Sequence, residues 1–189
     1  MKRAILMLLT GALIASAVAA NAKECRGIQF PEQVQLAGHP LVLNGLGVRK
    51  ATFLKVNVYV AALYVSHASR DSKSILDSAE PQQLTLQFVR NVSRDQLTNA
   101  WREGFEKVAK DQLPTLNARI DRLNGWMTDV KSGQRLTFNR TGKSIEVDVN
   151  GVVKGTIEGE DFSRAFLSIW LADPPNAELK DGLLGGQCE

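Results

Sequence analysis

Three observations predict an α+β fold. Strand-like alternation recurs in separated stretches, around residues 53–65, 84–90 and 135–157. A helical stripe of apolar residues runs on from Ser93. Helix follows strand without the strict alternation that a doubly wound sheet requires.

The chain opens on a leader rather than on the fold. Lys2 and Arg3 form a positive region, residues 4–18 are apolar, and Ala20-Asn21-Ala22 is a small-residue cleavage site. This pattern predicts a signal peptide over residues 1–22, a mature single domain over 23–189, and export to the periplasm. The apolar run is short for a membrane span, so no integral membrane segment is expected after cleavage. Loss of Lys2 and Arg3 lowers the formal net charge from +3 to +1. No basic tract with interleaved aromatics remains, which argues against nucleic acid as a partner. The composition sets no oligomeric state.

Two cysteines, Cys25 and Cys188, lie near the ends of the mature chain. In an oxidising compartment such a pair predicts a disulfide joining the termini. Closing so long a loop stabilises by roughly 5 kcal/mol in the chain-entropy model.

Alternation is moderate over residues 28–36, and Gly38-His39-Pro40 marks a turn. Asn44-Gly45 after Leu41-Val42-Leu43 is a hairpin signal. The strand over residues 53–65 follows. Its even positions (Leu54, Val56, Val58, Val60, Ala62) are apolar and predict the core face. The odd positions carry Lys55, Asn57 and Tyr59 beside Phe53, Ala61 and Leu63, with Arg49 just upstream. Polar groups there must be solvated, paired or turned to a lined cavity, and a bulge would reverse the parity beyond it.

A short helix is expected over 74–79, before Pro81, and a strand over 84–90. Ser93 with Gln96 fits a capping box. Leu97, Trp101, Phe105, Val108 and Ala109 form one helical stripe, and Pro114 is expected to break or re-aim the helix. Leu116, Ile120 and Leu123 predict a second helix ending near Asn124-Gly125. Strands over 135–139, 145–149 and 152–157 are separated by turns at Thr141-Gly142 and Asn150-Gly151, the latter a strong hairpin signal. Glu160 and Asp161 suit a helix start. Phe162, Phe166, Ile169 and Trp170 form that helix's stripe, Pro174-Pro175 ends it, and a last helix covers 177–184.

Chemistry is sparse. His39 and His67 lack companion ligands at metal spacing, so no metal is expected. Gly45-Leu46-Gly47 lacks the third glycine, the following helix and the distant acidic residue of a dinucleotide site, so no cofactor is expected. No serine or cysteine triad can be argued. Trp101, Trp126 and Trp170 are either core residues or parts of a ligand box.

The segments GLGVR, KVNVYVAALYV, NVSRDQLTNAWREGF and FSRAFLSIWLADPPNAELKDGLLG, in this order and spacing, resemble those of the chalcone isomerase-like family, most nearly its secreted bacterial branch. The resemblance runs from about Val34 to Gly186. It implies a large antiparallel sheet with a layer of helices on one face, an open-faced β-sandwich, and a ligand cleft between sheet and helices. The plant isomerases close a flavanone ring, a reaction that needs a cation for the phenolate and donors on the ketone. The family's arginine falls on Arg49 and its helix asparagine on Asn99. Its strand threonine falls on Tyr59, the tyrosine before the helix on Val92, and the late-helix hydroxyl on about Ile169. Three of these five positions depart from the family pattern.

Those departures favour an exported, non-catalytic protein binding a small amphipathic ligand such as a fatty acid. Arg49 is then the head-group residue, Tyr59 a second donor, and Asn99 a third candidate for the ligand site. The alternatives are an isomerase or lyase acting on a small aromatic or enone substrate such as a chalcone, and an envelope structural or interaction protein without a small ligand. Arg49 could equally be a surface or ion-paired arginine. Asn99 lies about 200° around the helix from Leu97, facing either solvent or a second face toward a cleft.

Overall fold

The computed structural model describes residues 21–51, 54 and 56–188. Residues 1–20 of the leader expected over 1–22, with Phe53 and Lys55 of the expected strand, lie outside the described residues.

An N-terminal hairpin pairs β1 (Ala22–Cys25) with β2 (Ile28–Pro31). The main sheet follows in chain order: β3 (Gln33–Leu36), β4 (His39–Ala51) and β5 (Val56–Val65) come first. Helix α1 (Ser72–Asp77) precedes β6 (Gln82–Phe88). Helices α2 (Arg94–Ala109) and α3 (Leu113–Trp126) precede β7 (Arg135–Thr141), β8 (Ser144–Val149) and β9 (Val152–Glu158). The chain closes with α4 (Glu160–Leu171) and α5 (Ala177–Leu183). Strands β3 to β9 form one seven-stranded antiparallel sheet in sequence order. This is the predicted α+β class, with the helices on one face. The other face is partly covered, over β4 and β5, by the β1–β2 hairpin.

Two cores result. The larger joins residues of β5 to β9 with all five helices and includes Phe105, Phe138, Phe162, Phe166 and Trp170. The smaller joins Phe30 and Leu41 to Val48, Val60, Ala62 and Tyr64. Strand β5 is therefore buried on both sides, and its expected parity needs correction. The main core takes the odd positions Tyr59, Ala61, Leu63 and Val65, whereas Val60 and Ala62 face the hairpin. Leu54 is 68% exposed in the β4–β5 connection. Arg49 pairs with Tyr59 and Lys50 with Asn57, so Val58 is an extra residue on β5, a bulge that turns it to the helix side.

Asn44-Gly45 is not a turn. Asn44 is the extra residue of a bulge in mid-β4, since Leu43 pairs with Tyr64 and Gly45 with Leu63. Its buried amide donates to the carbonyls of Leu183 (2.7 Å) and Ser69 (3.0 Å), and its oxygen accepts from the Ser69 N–H (2.7 Å). A Cβ on Gly45 would collide with the Gly182 carbonyl of α5, and one on Gly47 with that of Leu179. The glycine pair lets a helix backbone lie directly on a strand.

The hairpin turns at Arg26-Gly27, Ala37-Gly38 and Asn150-Gly151 all place both residues at positive φ. Only the last has the Asn-Gly signature. The capping box at Ser93 and Gln96 is formed. The helix is interrupted before Pro114 as expected: α2 ends at Ala109, and Pro114 sits in the first turn of α3, where its missing N–H is one left unpaired anyway. Cys25 and Cys188 are disulfide-bonded, with Cα atoms 5.9 Å apart.

Candidate functional site

Between α2 and the ends of β4, β5 and β6 lies a cleft of about 520 Å³, within the range of small-molecule sites. Its floor is built by residues whose burial the helix and strand periods dictate. Leu97, Trp101 and Gly104 come from the α2 stripe, Ile169 and Trp170 from α4, and Tyr59 and Phe88 from the sheet. Gly104 lets α2 lie close against α4, since a Cβ there would sit 2.8 Å from Ile169 Cγ2. The rim is charged, with half-buried Arg49 and exposed Arg90, Lys107 and Glu103. Among the described residues no three histidine, cysteine or acidic side chains gather in metal-binding proximity. No helix among them is long and apolar enough to cross a membrane.

Arg49 stands near the end of β4, where α5 has passed and the strand needs another partner. Asn176 supplies it: the Lys50 N–H donates to Asn176 Oδ1 (3.1 Å) and Asn176 Nδ2 donates to the Val48 carbonyl (3.1 Å). The backbone is thus held on both sides of Arg49. The guanidinium donates to the Lys50 carbonyl, and no carboxylate among the described residues pairs with it.

Tyr59 is 6% exposed, and its ring meets Phe88 edge-on at 5.4 Å. Its hydroxyl accepts a hydrogen bond from Trp170 Nε1 at 2.9 Å. Burial pushes the phenol up to about 12, opposed by that hydrogen bond and by the positive charge of Arg49. At neutral pH it is an uncharged donor, not a base. Trp101, whose ring also lines the floor, has a buried Nε1 with no hydrogen-bond partner among the described residues.

Of the three sequence candidates, Arg49 and Tyr59 meet at this cleft. Asn99 is exposed and does not line it. Val92 and Ile169, two positions where the resemblance replaces a hydroxyl, do line it. Sequence reasoning missed Asn176, Arg90 and Lys107, which carry no local signal. Trp170 showed as a stripe residue and as one of three tryptophans that are either core or parts of a ligand box.

A family model described as chalcone isomerase-like matches residues 22–185. No curated protein matches the chain in sequence. Among solved structures the fold is similar to that of a fatty-acid binding protein of Arabidopsis thaliana, with a TM-score of 0.70 at 14% identity. The match covers 87% of this chain and 96% of that one, and at such identity it establishes the fold.

Proposed function

Because the chain belongs to the chalcone isomerase-like family, we propose that it is an exported, non-catalytic binder of a small amphipathic acid, with a fatty acid as the leading class. One observation carries the reading. An aromatic and aliphatic cleft of about 520 Å³ holds, at its edge, an arginine that no carboxylate among the described residues pairs with, beside a neutral phenol. A guanidinium can bind a carboxylate bidentately, and a phenol adds a second donor. Apolar walls then take the tail, with the area buried driving its entry. The Arabidopsis protein of the same fold is a fatty-acid binding protein, which supports this class.

Catalysis is disfavoured by the same walls. Val92 and Ile169 put methyl groups where the family resemblance calls for hydroxyls to polarise a ketone and hold water. Tyr59 keeps its proton through neutral pH and supplies no general base. The leader-like residues 1–22 support export, and the Cys25–Cys188 disulfide supports an oxidising compartment such as the periplasm.

The test is mass spectrometry of an organic extract of the mature protein, wild type beside Arg49→Ala. A stoichiometric amphiphilic acid in the wild type, lost from the variant, is the expected result. An empty wild-type cleft would shift the reading to an envelope interaction role.

A further inference from the structure

A phenol at a binding surface is ambiguous, since its oxygen can accept a hydrogen bond while its hydrogen donates one. In this cleft the ambiguity is resolved from behind. Trp170 Nε1 lies 2.9 Å from the Tyr59 oxygen, and an indole N–H can only donate. Both side chains are buried, at 1% and 6% exposure. Both rings are packed against other aromatic side chains. Trp170 is held by Phe166 at 5.1 Å, Trp101 at 5.7 Å and Phe138 at 6.3 Å, and Tyr59 by Phe88. The phenolic hydrogen has no acceptor among the described residues, and the ring that carries it lines the cleft.

We infer that Trp170 is the positioning residue of the site: by occupying the acceptor side of Tyr59 it makes the phenol a dedicated donor. The cleft is thereby set to prefer a ligand head that only accepts over one that must donate. This inference rests on the ligand-binding reading above and deepens it. A carboxylate satisfies both Tyr59 and Arg49 without presenting a hydrogen of its own. An alcohol of the same length can also accept from the phenol, but its own hydrogen finds the acceptor direction that Trp170 already occupies. Trp170 does not touch the ligand's charge; it acts through Tyr59.

Two measurements test this. The first needs no ligand. Tyr59 and Tyr64 are the two tyrosines of the chain, so a Tyr64→Phe background leaves Tyr59 alone in the tyrosine Fermi doublet of the Raman spectrum. The doublet should report an acceptor phenol, and adding Trp170→Phe should abolish that signature. The second is calorimetric titration with dodecanoate and with dodecanol. Trp170→Phe should lower the acid-to-alcohol affinity ratio by roughly 3- to 10-fold, the worth of one hydrogen bond. The same substitution in a Tyr59→Phe background should leave the ratio unchanged. A doublet indifferent to Trp170→Phe, or an equal fall in the ratio with and without the Tyr59 hydroxyl, overturns the inference and reduces Trp170 to packing. Should Trp170→Phe fail to fold, Tyr59→Phe reads the bond from the other side: the Trp170 indole N–H resonance should move upfield, and an unmoved resonance overturns the inference. A wild type with the acceptor signature that binds neither probe overturns the ligand-binding reading itself, and the preference with it.

Discussion

Tyr59 and Tyr64 stand five residues apart on one strand and face opposite sides of the sheet. Both are buried, at 6% and 2% exposure, and burial pushes both phenols up to about 12. Their surroundings differ. Tyr64 fills the small core beneath the β1–β2 hairpin, with the charge of Arg135 nearby. Tyr59 is tethered by Trp170, accompanied by Arg49, and opens onto a void. Burial and a perturbed ionisation therefore do not distinguish a site from a core. What distinguishes it is an unused hydrogen-bonding valence facing space that a molecule can fill.

The sharpest way to break the comparison is to hollow out each face. Phe166 packs against Trp101, Phe105, Phe138, Phe162 and Trp170. We expect Phe166→Ala to cost about 5 kcal/mol in urea denaturation, the upper end for a buried aromatic, and Phe30→Ala on the hairpin side about 3 kcal/mol. Equal losses would make the hairpin core a full partner in the fold. Next in size is the Cys25→Ser/Cys188→Ser pair, expected to cost about 2–5 kcal/mol while leaving dodecanoate affinity of the folded protein unchanged. A fall in affinity would show that the hairpin side also shapes the cleft.

The tyrosines themselves titrate in a defined window. The ordinary phenol ionises near 10.0, and both folded values are raised to about 12. The stability attached to the neutral phenols is complete below pH 10 and is lost as pH rises toward 12, because the unfolded chain ionises first. Native protein at pH 11 should show little phenolate absorbance, and Tyr59→Phe or Tyr64→Phe should each remove one part of the alkaline loss. Early ionisation of Tyr59 alone would mean the cleft admits water to its floor. The smallest effect belongs to Asn99→Ala, expected to change stability by less than about 0.5 kcal/mol and affinity not at all. Loss of dodecanoate binding in that variant would extend the site across α2.

Local chemistry carried the readings that the structure bears out. The capping box at Ser93, the stripe of α2 and the Asn150-Gly151 turn each depend on neighbours within a few residues. The failures share a different cause. Asn44-Gly45 is a hairpin signal by local rules, yet Asn44 is held by Leu183, 139 residues away, and Gly45 by the backbone of α5. Arg26 and Ala37 occupy positive-φ turn positions with no local signature, because strand pairing on either side outweighs their own preference. The parity of β5 holds at Val58 and reverses beyond it, where one unpaired residue exchanges the faces.

Read alone, the chain determined the α+β class, most of its strands and helices, and the pairing of its two cysteines. Its resemblance to a family picked out Arg49, Tyr59 and Asn99. The tertiary structure decided which face of β5 meets the helices, that Asn99 stands outside the cleft, and that Asn176 and Trp170 stand behind Arg49 and Tyr59. The division has a physical basis. Propensity, capping and periodicity act over one or two turns of chain, whereas a cleft is defined by what distant elements leave unfilled between them.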